Sequence, residues 1–331
     1  MTDPASPVSG FDELVFSVFD IDRASAAMVD VGGWRRHPTA PLPRCQLTAW
    51  DLPEEATGSQ ALLVPPGGMR GRLRLVSFEG VPRELIRPSQ RVWDSGGIFD
   101  IDLFTSDVRG RYRALQARHG WTGLGEPVDY VIGPFDVTQV VAVGPDGLML
   151  ALIEPRVKDG MDLPADGAFS RAFNSTQLVR DMDAALDFYC RRLGWRQVMR
   201  DEVVDVAEPG ANVLGLPMPH AVTTRRRVAI VHPEGLNDGS VELMQIVDMT
   251  GEDHGARCVP PNVGLLALRF PVTDARAEAR RLADAGVDLA RPLHRFDMHG
   301  VGEVLSFGLR SPDGAILEFY ELLGRSASVA T

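Results

Sequence analysis

Short alternating runs of apolar and polar positions recur along this chain, each leading into a stretch with helical spacing. Between Phe11 and Phe19, Leu14, Phe16 and Val18 alternate with Glu13, Val15 and Ser17. That pattern predicts a strand whose two faces are used differently. A helix is predicted from about Asp22 to Val31, ended by Gly32 and Gly33, since glycine commonly closes helices. Runs at Gln46 to Asp51, Ala61 to Val64 and Leu73 to Phe78 read as short strands between Pro/Gly turns. The same order returns three times. Strand-like runs begin near Ile98, Phe173 and Val263, and helices follow at about Val108 to Arg118, Met182 to Leu193 and Ala275 to Ala285. Closing strands are predicted at Leu148 to Ile153, Val241 to Val247 and Ile316 to Tyr320. In the third helix Ala185, Phe188, Tyr189 and Leu193 share one face.

The repeat has a measure. Asp20 and Trp34, Asp107 and Trp121, Asp181 and Trp195 each lie 14 residues apart, and Thr273 and Val287 repeat that offset. A fixed period predicts repeated supersecondary units, here strand, helix, then about three strands. Pro-Asp-Gly turns precede the closing strands of the second and fourth units, at Pro145 and Pro312, which supports duplication. The Pro/Gly/Asp-rich stretch 156–168 predicts a linker. The expected organisation is a disordered start over 1–10, units one and two in a domain over 11–155, units three and four over 169–323, and a flexible tail over 324–331.

Arg180 to Tyr189 followed by Leu193-Gly194-Trp195 resembles the opening of a vicinal oxygen chelate module. Ser306-Phe307, Arg310, Pro312, Gly314 and Glu318 resemble the last two strands of extradiol dioxygenases. The resemblance is to the superfamily of glyoxalase I, bleomycin-resistance proteins and ring-cleaving dioxygenases. It implies an α+β fold of four βαβββ modules, paired into two cupped, barrel-like sheets. It also implies a ligand position on the first strand of each module and another on the last. Carried over singly, the first-strand positions are Glu13, Asp100, Asn174 and Leu265, and the last-strand positions are Arg74, Ala151, Glu242 and Glu318. Leucine ligates no metal and a neutral amide is a poor partner for iron or zinc. A His-ligated metal is therefore not expected, although an atypical divalent metal stays open.

The expected chemistry is carboxylate acid/base catalysis of the lyase or isomerase kind. Glu318, Glu242 and His299 are the candidate catalytic residues. Asn174, Thr176, Tyr320 and Arg227 are the candidates for holding a small organic substrate. Two other readings stand beside it: a non-catalytic small-molecule binding protein, and a metal-dependent dioxygenase with unusual ligands. A net charge of −11 with no basic block argues against nucleic acid and anionic membranes as partners. Three scattered cysteines, no signal peptide and no membrane-length apolar run fit a cytoplasmic protein, monomer or homodimer.

Overall fold

A computed structural model describes residues 6–132, 135–158, 163–203 and 212–324. It contains two mixed sheets, each curled into a half-barrel. Each of the four units supplies a first strand, a helix and a set of antiparallel strands. First strands are Glu13–Ser17, Ile98–Phe104, Ala172–Leu178 and Gly264–Pro271. Closing strands are Arg72–Glu79, Met149–Pro155, Ser240–Ile246 and Ile316–Leu322. Within each module the first strand runs parallel to its own closing strand.

The helices start where the sequence places a side chain able to satisfy free N–H groups. Asp20 accepts from Asp22 and Arg23, Asp107 from Gly110, and Asp181 from Asp183 and Ala184. In the fourth module the cap is Asp274, accepting from Ala277, and not Thr273. The chain re-enters the core at Val287 through its N–H to Leu282 O, a span of five residues. Trp34, Trp121 and Trp195 make the matching bonds across six, to Met28, Leu115 and Tyr189. The fourth helix therefore starts one residue later than the 14-residue period suggests.

The modules do not pair in chain order. Strand Glu13–Ser17 lies antiparallel against Gly264–Pro271, and Ile98–Phe104 against Ala172–Leu178. Modules one and four thus share the first cup, and modules two and three the second. This corrects the expectation that each half of the chain closes a cup of its own. Four helices, Ile21–Asp30, Val108–His119, Met182–Leu186 and Ala275–Asp284, lie against the outer faces of both sheets. They put Met28, Tyr112, Leu115, Met182 and Leu282 into one core with Leu14, Phe16, Leu103, Leu268 and Phe270.

Three further expectations change. Gln46 to Asp51 is not a strand: Arg44–Ala49 is a short helix with Gln46, Leu47 and Trp50 buried, a helical spacing, and it plugs the first cup. Residues 6–10 are not a loose start, because Val8 bridges Val272 and Ser9 donates to Pro271 O. In the linker, Ala165–Gly167 forms a helical turn leading to buried Phe169. Residues 1–5, 159–162 and 325–331 of the expected loose segments lie outside the described residues. Replacing Asp274 with alanine should lower stability by about 1 kcal/mol in urea unfolding, whereas exposed Thr273→Ala should change it little. Equal effects would mean the fourth module is not capped by Asp274.

Candidate functional site

The strand register fixes which side chains meet inside each cup. Between the two opening strands of the first cup Leu14 lies opposite Leu268, and between those of the second Ser175 lies opposite Ile101. Rotation about those pairs matches Glu13 with Ala267 and Asn174 with Asp100. All four lie seven residues before a helix cap, at Asp20, Asp274, Asp181 and Asp107. Ala267, not Leu265, therefore holds the first-strand position in module four. Leu265 belongs to the core outside the cup, because the strand bulges there. On the closing strands Arg74 stands beside Val15, Glu318 beside Arg269, Glu242 beside Thr176 and Ala151 beside Asp102.

The first cup is filled by its own ion pairs. Glu13 accepts from Arg74 Nε at 2.6 Å, Arg72 Nε at 2.6 Å and Arg269 Nη1 at 2.6 Å. Glu318 accepts from Arg269 Nε, Arg291 Nη1 and the indole of Trp50, each at 2.7 Å. Burial opposes ionisation of Glu13, but the guanidiniums of Arg74, Arg72 and Arg269 outweigh it and hold the carboxyl well below its usual range. Burial likewise opposes ionisation of Glu318, and Arg269 and Arg291 bring it down to about 2. Tyr320 donates to Asp12 at 2.6 Å and accepts from Arg72 at 3.2 Å. The plug helix, with Trp50 over Phe78, covers the remainder.

The second cup holds acids without such partners. Asp100 and Asp102 are buried, and Glu242 is half-buried. Burial pushes Asp100 up to about 7 against its contacts with Thr176. Burial, then repulsion from Asp100, pushes Glu242 up to about 8. Asp102 rises well above its usual range by burial and by repulsion from Asp100 and Glu242. Thr176 stands beside both acids, opposite Asp100 on one neighbouring strand and Glu242 on the other, where its hydroxyl can serve each. It has one proton to donate and lone pairs to accept with, so the arrangement is satisfied when one of the two acids is protonated. Tyr130 lies beside these acids and donates to Gln139. Apolar walls come from Val141, Met149, Leu178 and Ile246.

The structure separates several residues the sequence brings together. Glu318 and Glu242, expected as one proton-handling pair, sit in different cups, because the modules pair one with four and two with three. Tyr320 and Glu318 are committed to the ion pairs of the first cup. His299 stands at that cup's edge, its Nε2 2.9 Å from Pro38 O and its carbonyl accepting from Arg74. Asn174 and Thr176 do line the second cup, although Asn174 Oδ1 accepts from the Ser175 N–H at 2.6 Å. Arg227 points to the other face and pairs with Glu202 at 3.4 Å. Its neighbour Arg226 is on the cup side, near Tyr130. Asp100 is the expected first-strand position of module two, and Asp102 lies two residues further along the same strand. Their period-two spacing on a first strand is the signal that marks them, once the pairing is known. Surface hollows of about 310 and 340 Å³ include none of the candidate site residues in their linings.

Residues 173–319 match the family model described as Glyoxalase/Bleomycin resistance protein/Dioxygenase superfamily. This segment is similar to that superfamily. It spans modules three and four and so contributes one wall to each cup. Among solved structures, a V278E mutant of glyoxalase I from Zea mays is similar at 17% identity and TM-score 0.61, covering 95% of this chain and 92% of that one. A protein titled putative dioxygenase from Bacillus subtilis is similar at 12% identity and TM-score 0.60, with 97% and 87% covered. These likenesses establish the fold over nearly the whole chain. Among curated proteins none matches by sequence.

The superfamily resemblance implies a divalent metal inside a cup, and neither donor set fits one bound in that manner. In the first cup the positions are Glu13, Arg74, Ala267 and Glu318, and guanidiniums at 2.6–2.7 Å occupy both carboxylates. In the second they are Asp100, Ala151, Asn174 and Glu242, with no imidazole. Among the described residues no three His, Cys, Asp or Glu are placed to hold a metal ion.

The two cups should respond oppositely to pH. Unfolded carboxyls ionise near pH 4. Glu318 stays ionised in the fold down to about 2, so its contribution is complete above pH 4 to 5 and is lost as pH falls toward 2. Asp100 and Glu242 keep protons in the fold up to about 7 and 8. The folded state then binds more protons than the unfolded one, and stability falls as pH rises from about 4 to 8. Urea unfolding at pH 8 should show Glu318→Gln destabilising by about 3–5 kcal/mol, as expected for breaking a buried ion pair. Asp102→Asn should instead stabilise and flatten the fall between pH 5 and 8. Destabilisation by both would show that the second cup's acids are ion-paired.

Proposed function

We propose that the second cup binds a small organic molecule and moves a proton on it, in chemistry of the lyase or isomerase kind. The observation that carries this reading is the set Asp100, Asp102 and Glu242, gathered in one cup with their protons retained near neutral pH. A general base works best when its pKa is close to the working pH. Glu242, reachable from outside, takes a proton from carbon next to a carbonyl. Asp100 and Glu242 share one proton beside Thr176, and with that proton on Asp100 it is donated to the carbonyl oxygen as charge develops there. The Asn174 amide and the Tyr130 hydroxyl orient the substrate. No step requires the first cup, whose ion pairs support its walls.

This reading keeps the acid/base chemistry expected from sequence and moves it to different residues. Glu242 remains, Glu318 and His299 drop out, and Asp100 and Asp102 enter. The three cysteines are unpaired, which supports a reducing, cytoplasmic setting. Among the described residues no helix is long and apolar enough to cross a membrane.

The test is hydrogen–deuterium exchange at carbon in D2O, followed by proton NMR over a panel of small carbonyl compounds. The protein should catalyse exchange of at least one, and Glu242→Gln should slow it by about 10²–10⁴-fold. His299→Ala should leave the rate unchanged. Exchange that survives both Glu242→Gln and Asp100→Asn would remove the proposed roles.

A further inference from the structure

The two cups are built on one plan and differ in how they treat buried acid. In the first, Arg72, Arg74, Arg269 and Arg291 meet Asp12, Glu13 and Glu318, so every ionised carboxyl has a guanidinium within about 3 Å. The position of Arg269, two residues beyond Ala267, corresponds in the second cup to Asp102, two residues beyond Asp100. A cation on one first strand is thus replaced by an acid on the other. Among the described residues no ion pair in the second cup restores the balance. Arg87, the nearest guanidinium acting on Asp100, gives its N–H groups to the carbonyls of Gly96, Arg91 and Asp94. Arg226 makes no ion pair with the three acids among the described residues, and its Nε is without a partner.

A second observation points to a ligand. Asp100 is 4% exposed, and its Oδ1 has no hydrogen-bond partner. A buried carboxyl oxygen left unsatisfied is costly, and this carboxyl stands among the charges of Asp102 and Glu242, with Tyr130 beside them.

We propose that the ligand of the second cup is a compact organic cation, an ammonium carried on an apolar body. This deepens the reading above and rests on the same cup being the site. The charged end sits between Asp100, Asp102 and Glu242, where an incoming positive charge supplies the counter-ion that arginines supply in the first cup. Oδ1 of Asp100 takes one of its N–H groups. The face of Tyr130 adds attraction for a cation. Met149, Leu178 and Ile246 receive the apolar part. Entry of the cation lowers the cost of ionising the acids, so binding releases protons. A substrate amine beside the reacting carbon would also leave Glu242 ionised and ready to act as base.

Isothermal titration at pH 7 with a matched set separates charge from shape. The set is benzylammonium, benzyl alcohol and benzoate, with trimethylammonium as a smaller cation. At least one ammonium should bind at least ten-fold more tightly than benzyl alcohol, with benzoate weakest. Proton release should appear as a dependence of the measured heat on the buffer's ionisation enthalpy. Asp102→Asn should reduce the preference at least ten-fold, while Asp284→Asn, an exposed acid on the fourth-module helix, should not, which excludes general attraction to the −11 net charge. Because removing one acid from the cluster relieves repulsion, the Asp102 variant should fold, and its unfolding midpoint checks that. Absence of ammonium binding, equal binding of benzyl alcohol, or a preference unchanged in Asp102→Asn overturns the proposal. So does stoichiometric binding of millimolar Mg²⁺ that excludes the ammonium. In each of these cases deuterium exchange dependent on Glu242 would still stand, so failure of the ligand class is distinguishable from failure of the site.

Discussion

Antiparallel contact between opening strands decides which charges share a cup. Strand Glu13–Ser17 could have met the opening strand of module two, its neighbour along the chain. It meets that of module four instead. Every later consequence follows from that contact. Glu13 finds Arg269 across the strand pair, Arg269 finds Glu318 on the adjoining strand, and the first cup becomes a neutralised ionic core. Asp100 and Asp102 are left facing Thr176 and Asn174, with Glu242 on the next strand. The unlike behaviour of the two cups is thus set by pairing before any local detail enters.

Buried carboxyls have two ways to avoid the cost of an isolated charge in a medium of low polarity. One is a guanidinium close enough to offset the desolvation. The other is to keep the proton. The first cup uses the former, and removing one partner there strands charge, as in any buried ion pair. The second cup uses the latter. A retained proton is chemically available, whereas an ion pair locked on all sides is not. This is the physical reason for placing chemistry in the second cup, even though Glu318 has the stronger family resemblance in sequence. Groups whose pKa is moved by burial and like charge, near an opening, are common at functional sites.

Much of the fold was legible in the chain because the repeat shows itself in side chains with local jobs. Asp20, Asp107 and Asp181 cap helices, and Trp34, Trp121 and Trp195 return the chain to the core, so their spacing survives as sequence. Two features were less visible. Gln46 to Trp50 has the composition of a short strand, and only the burial of Gln46, Leu47 and Trp50 against the cup makes it a helix. The expectation put the fourth-module position at Leu265, two residues before Ala267, and missed the one extra residue of the strand bulge between them, which turns Leu265 to the opposite face. A single-residue error of that kind reverses the side of every residue in a strand. Strand pairing between modules was not legible at all, since both arrangements bury the same alternating faces. Glu318 and Glu242 therefore looked like partners while standing in separate cups.

The same comparison explains why a metal site need not persist where its fold does. A ligand position is only a direction into the cup, and the side chain placed there answers to its neighbours. With Arg74 and Arg269 beside them, Glu13 and Glu318 gain more from guanidiniums than from waiting for an ion, and the site closes around its own charges. With Ala151 opposite and Thr176 between the acids, Asp100 and Glu242 have a hydroxyl to share and a proton to exchange. One fold thus yields a sealed ionic core and an acid-lined cup from substitutions at equivalent strand positions. The difference in charge between Arg269 and Asp102 is the largest of them.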